Sequence, residues 1–155
     1  MNTFFIFSAT YLFLLPIIIL GGYFLLQPMP IKKRIVLFSL SSLILSYIIG
    51  LLAGHVYFDP RPFVVGHFTP LIAHAPDNGF PSDHALLVSA IATIGSYLSW
   101  RLGVVLWVLG LIVAIARVYI GLHHAIDVVG SLVIAVIATS AVFLFITYVY
   151  HKEIS

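Results

Sequence analysis

Five apolar stretches fill most of this sequence: Thr3 to Leu26, Ile35 to Gly54, Ala85 to Trp100, Leu102 to Leu122 and Val128 to Tyr150. Each is as long, or nearly as long, as the roughly 20 residues that carry a helix across about 30 Å of hydrocarbon. The chain is 62% hydrophobic and 8% charged, with a mean hydropathy of +1.17. A soluble domain is about one quarter charged, so the expected fold is all-α, a polytopic transmembrane bundle of about five spans. With no internal repeat and no break in composition, residues 1–155 read as one integral-membrane domain. The first stretch lacks a basic n-region and is too long for the apolar core of a signal peptide, so it is expected to stay in the mature protein.

The basic residues orient this bundle. Lys32, Lys33 and Arg34 follow the first stretch, Arg101 the third and Lys152 the fifth; the positive-inside rule puts all three ends in the cytoplasm. The opposite, outer end then collects Arg61, Arg117, His55, Asp59, His67, His74, Asp77, Asp83, His84, His123, His124 and Asp127. By parity, the end of the second stretch, the start of the third, the end of the fourth and the start of the fifth all meet there. The single long connection, His55 to Pro81, holds five of the eight prolines and lies at the same end. The absence of cysteine removes disulfides and thiolate metal sites. A net charge of +2 gives no reason to expect a nucleic-acid partner.

Ionisable groups this close to lipid cost several kcal/mol, about 2.5 to 3.5 at a helix centre, and mark a functional site. Arg117, His123 and Asp127 follow one another at spacings of six and four. On a helix, the i,i+4 pair lets Asp127 accept a proton from one imidazole nitrogen of His123 and leaves the other free for acid, base or nucleophilic work. In Phe80-Pro81-Ser82-Asp83-His84, Pro81 ends a loop and Ser82 is a suitable N-cap, so the first-turn amides can hold an anion. In Asp59-Pro60-Arg61-Pro62, two prolines fix the backbone that presents a guanidinium. Two arginines fit a multi-oxygen anion and would repel a cation, which disfavours zinc or haem held by these histidines. Gly50 with Gly54, and Gly121 with Ala125, read as small-residue pairs that permit close helix approach. His67, His74 and His151 receive no role.

Arg61-Pro62, then Pro81-Ser82-x-His84, then Arg117, five residues, His123, three residues, Asp127 resemble the three ordered motifs of the type 2 phosphatidic acid phosphatase superfamily. More narrowly, Tyr57 to Phe63, Phe80 to His84 and Ala116 to Tyr119 are similar to the bacitracin-resistance type of undecaprenyl-diphosphate phosphatase. The resemblance implies a multi-pass enzyme of the bacterial plasma membrane with an outward-facing site, acting on a polyprenyl diphosphate lipid in cell-wall carrier recycling. It implies that His123 is the nucleophile, Asp127 its orienting group, and His84 the acid that protonates the leaving oxygen and then activates water. Arg61, Arg117, Ser82 and the amides near Asp83 would hold the phosphoryl oxygens, with no metal or other cofactor. Two positions depart from the family pattern. Gly54 stands where a lysine is usual, with His55 beside it as a candidate substitute, and Asp83 replaces a glycine. The alternatives are a phosphatidylglycerophosphate, phosphatidate or lipid A phosphatase of the same superfamily, and a non-catalytic lipid- or haem-binding membrane protein.

Overall fold

A computed structural model describes residues 2–152. It consists of α1 (Asn2–Thr10), α2 (Leu14–Leu25), α3 (Met29–Val56), the single turn α4 (Pro62–Val65), α5 (Asp83–Leu98), α6 (Trp100–Tyr119) and α7 (Ala125–Lys152). The all-helical bundle expected from the sequence is what forms, with three candidate spans among the described residues, or four counting the bent pair α1 and α2, in place of about five. Among the described residues the extended pairing is limited to one isolated bridge, between Pro60 and Asn78. His151, to which no role was given, and Lys152, used for orientation, have side chains outside the described residues.

Three helices, α3, α6 and α7, are each long and apolar enough to cross a membrane. The first apolar stretch is not one straight span. It breaks after Thr10, and α1 and α2 meet at 49°. Pro16 supplies the cause: it has no N–H, and its ring crowds the carbonyl four residues earlier, that of Leu12, so regular helix cannot run through residues 11–13. Turn bonds from Leu14 N to Tyr11 O and from Leu15 N to Leu12 O, both 3.1 Å, fill the gap.

The 16-residue α5 is short for a crossing, about 24 Å at 1.5 Å per residue. It forms the centre of the bundle, buried over Ala85, Leu86 and Val88 to Gly95. Small side chains make this central place possible. Gly95 lies against Leu106, Gly110 against Val88 and Gly103 against Ser96, so α5 and α6, joined through Ser99 alone, run antiparallel in close contact.

The same device fixes the end of α3. A Cβ on Gly50 would stand 2.8 Å from Leu86 Cδ2, and one on Gly54 would stand 2.9 Å from the Phe80 carbonyl oxygen. The expected close approach at this pair is therefore real, and it holds residues 78–86 against α3. The other pair behaves differently. Gly121 has φ of +81° in the α6–α7 turn and packs against the Phe68 ring, so with Ala125 it forms no helix-packing motif. Its left-handed backbone is what turns the chain from α6 toward His123.

Candidate active site

The ends of α3, α5, α6 and α7 converge as parity requires, and the long connection folds back over them. Asn78 does much of this folding. Its Oδ1 accepts hydrogen bonds from Asp59 N (2.9 Å) and Phe80 N (3.0 Å), while Nδ2 donates to Gly54 O (2.9 Å) and Tyr57 O (3.1 Å). Gly79 N also donates to Asp59 O at 2.8 Å. These bonds align the strip carrying Arg61 with the strip carrying Gly79 and Ser82.

Arg61 is thereby sunk to 6% exposure. Its Nε donates to Asp77 at 2.6 Å, its Nη1 to Leu122 O at 3.0 Å, and its Nη2 reaches Asn78 O at 3.4 Å. Burial works against the charge of Asp77, but the Arg61 guanidinium prevails and holds this carboxyl below its ordinary range. Arg117, in the last turn of α6, is equally buried, and its Nε has no hydrogen-bond partner.

His123 lies between the two guanidiniums and the acidic side of the site. Its Nε2 is 3.3 Å from Arg61 Nη1 and 3.2 Å from Arg117 Nη2. Arginine only donates, so Nε2 must be the bare nitrogen and the ring proton sits on Nδ1. Nδ1–H donates to Gly79 O at 2.9 Å, with Asp127 Oδ2 farther away at 3.4 Å. The expected His123–Asp127 pairing is thus present as the longer of two contacts, and a backbone carbonyl is the nearer acceptor. Burial, reinforced by the two arginines and opposed by Asp127, keeps the His123 pKa below its ordinary value, so the imidazole is neutral at pH 7.

The other residues singled out in the sequence fall around this centre. Asp127 is fully buried and its Oδ2 accepts from His124 N at 2.9 Å. Ser82 occupies the N-cap of α5 without making a side-chain cap bond, and its buried hydroxyl has no partner. Its backbone is the part in use, with Ser131 Oγ donating to Ser82 O at 3.0 Å. His84, one residue into α5, meets the Phe13 ring edge-on at 4.9 Å and lies within electrostatic reach of His123 and Arg117. Asp83 is exposed and shares a cavity of about 180 Å³ with His55, Asn78 and Tyr47.

The sequence profile of the PAP2 superfamily matches residues 35–151. The chain belongs to the PAP2 superfamily. It is 39% identical over 99 residues to the undecaprenyl-diphosphatase BcrC of Bacillus subtilis, covering 64% of this chain and 49% of that protein. It is 33% identical over 109 residues to the putative undecaprenyl-diphosphatase YbjG of Escherichia coli, covering 68% and 54%. The chain therefore spans about half the length of these relatives. In fold it is similar to Aquifex aeolicus LpxE, with a TM-score of 0.71 at 20% identity over 91% of this chain and 81% of that one. A second similar structure is the PAP2-type phosphatidylglycerolphosphate phosphatase of Bacillus subtilis, with a TM-score of 0.63 at 22% identity over 94% and 74%.

The PAP2 frame makes the departure at residue 54 intelligible. A side chain on Gly54 would collide with the Phe80 carbonyl, and Asn78 already binds the Gly54 carbonyl, so a lysine cannot stand here without moving the strip that carries Gly79. His55 turns its Nδ1 to Leu51 O, 3.0 Å away within its own helix, and lines the Asp83 cavity. In the sequence, Asp59, Asp77 and Asn78 fall at the outer end with no task evident, and no charge singles out Gly79. The Asn-Gly step before Phe80 was the one available signal, since this dipeptide marks a tight turn.

Proposed function

We propose that this protein is a metal-independent lipid phosphatase that hydrolyses undecaprenyl diphosphate to undecaprenyl phosphate and phosphate. It would act on the outer face of a bacterial plasma membrane, as one integral-membrane unit. The observation that carries this reading is the bare Nε2 of His123 facing two guanidiniums, with its proton held on Nδ1 by Gly79 O. A neutral, oriented imidazole aimed at a cationic cradle is the arrangement for in-line attack on a phosphoryl group. Nε2 attacks the terminal phosphorus, and the bond from that phosphorus to the bridging oxygen breaks. His84 gives a proton to the leaving lipid phosphate, and Asp127 offsets the charge gained by the His123 ring. His84 then takes a proton from water, which attacks the phosphohistidine and frees His123. Arg117, with donors still open, and Arg61, fixed by Asp77, stabilise the equatorial oxygens. The substrate assignment rests on similarity to the undecaprenyl-diphosphatase BcrC and to YbjG, named a putative undecaprenyl-diphosphatase.

The test is phosphate release in detergent, with excess chelator, from undecaprenyl diphosphate, phosphatidylglycerophosphate and phosphatidate in parallel. The expected result is a higher kcat/KM for undecaprenyl diphosphate, abolished by His123→Ala. Equal or better turnover of the glycerolipids overturns the substrate. Loss of activity in chelator, restored by zinc, overturns the mechanism. A dead His124→Ala alongside an active His123→Ala moves the nucleophile to the neighbouring ring.

A further inference from the structure

Behind His123, on the side away from the arginines, Asp127 belongs to a group of atoms of which two members, Asp59 and His124, have no part in the phosphatase reaction. His124 Nδ1 is 2.9 Å from Asp59 Oδ2. One donor atom from each of Asp59, His124 and Asp127 falls within 4.8 Å of the others. Asp127 gives its Oδ2 to His124 N. Its Oδ1 has no partner, although the residue is fully buried. His124 meets one oxygen of each carboxylate, and the buried Oδ1 of Asp127 is left over; an unpartnered buried carboxylate oxygen beside a second carboxylate is an environment a cation fills.

The arginines do not forbid it. Nε2 of His123 faces Arg61 and Arg117, whereas Nδ1 faces Asp127, so the imidazole ring stands between the guanidiniums and the acids. Arg61 is further matched by Asp77. His124 is the member open to the outside: its side chain is 38% exposed, and it lines a cavity of about 450 Å³ together with Phe68 and Tyr119.

We propose that Asp59, His124 and Asp127 form a binding site for a divalent transition metal of the zinc class, and that occupancy inhibits the enzyme. Two carboxylate oxygens and one imidazole nitrogen are a donor set that suits zinc, with water completing the shell. Inhibition follows because a metal on Asp127 draws it from His123 Nδ1, and a cation there opposes the positive charge that the ring gains on attack. This proposal rests on the phosphatase reading for its inhibitory part only; the binding part stands alone.

The experiment titrates zinc into untagged, chelator-stripped full-length protein in detergent, with bound metal read by competition with a zinc indicator dye. Phosphate release from undecaprenyl diphosphate is measured in parallel. The wild type is expected to bind one zinc per chain and to lose activity as it does so, with recovery in chelator. Asp59→Asn, which keeps the size of the side chain, and His124→Ala are each expected to weaken binding by about tenfold or more. No binding by the wild type overturns the site and leaves a proton shared between the two carboxyl groups. Undiminished binding by both variants places the metal elsewhere and overturns it too. Binding with unchanged activity overturns the inhibition. Failure of the phosphatase reading is separate: stripped wild type then releases no phosphate from any lipid, whatever the dye reports.

Discussion

Asn78 uses its whole side-chain amide, two acceptor and two donor contacts, to hold residues 54, 57, 59 and 80 in one arrangement. Each such bond is worth about 1 kcal/mol net, and a buried group left unpaired costs more. Asn78→Ala is therefore expected to lower kcat by at least about tenfold, because Gly79 O no longer sets the His123 tautomer and about 1.4 kcal/mol of barrier is one decade in rate. Steady-state kinetics beside a thermal melt checks this, since a change in Tm alone with kcat intact would assign Asn78 to stability only. Asp77 acts on Arg61 instead. Its carboxyl is held below the ordinary 3.8, so the pair is complete at neutral pH and is lost only as pH falls through that depressed value. Asp77→Asn is expected to raise KM more than it lowers kcat, measured on the diphosphate at pH 7. The candidate catalytic set was legible because charge in an apolar chain is conspicuous. Asn78 and the Gly79 carbonyl were not, because an uncharged amide and a backbone oxygen carry no such cost in the sequence.

At the level of helices, apolar length located every long element, and small residues decided how they pack. The ends were less legible. Pro28 and Pro30 start α3 earlier than apolarity indicates, so Lys32, Lys33 and Arg34 lie in its first turns, with Lys32 over the Phe24 ring at 5.6 Å. The break at residues 11–13 was visible in principle, since Pro16 forbids a straight helix there, but uniform hydropathy hid it. The two glycines of α3 give a graded test. Gly50→Ala meets the end of a leucine side chain, which can move, whereas Gly54→Ala meets a backbone carbonyl, which cannot. Thermal melts in detergent are expected to show a clear loss for Gly54→Ala, about 1 to 3 kcal/mol as overpacking usually costs, and a smaller one for Gly50→Ala. Equal losses would mean that residues 78–81 are not held against α3 in this way.

Across the whole molecule, the basic residues at one end and the acids and histidines at the other make orientation the broadest claim. Cysteines placed at Lys33 and Arg101 are expected to resist an impermeant thiol reagent in intact cells, while one at His67 reacts. The chain has no cysteine of its own to confuse the readout. Labelling of the first pair would reverse the topology and put the phosphoryl site in the cytoplasm. The contacts of His123 add a consequence for biosynthesis. It meets Gly79 across 44 residues and Arg61 across 62, while Asp127 is supplied only four residues later. A ribosome-bound chain that has delivered its first helices to the membrane therefore carries Arg61, but neither Arg117 nor His123, which arrive together with the α6–α7 hairpin. On the proposed mechanism the site is completed only when that last hairpin enters, so an insertion intermediate is expected to release no phosphate from lipid.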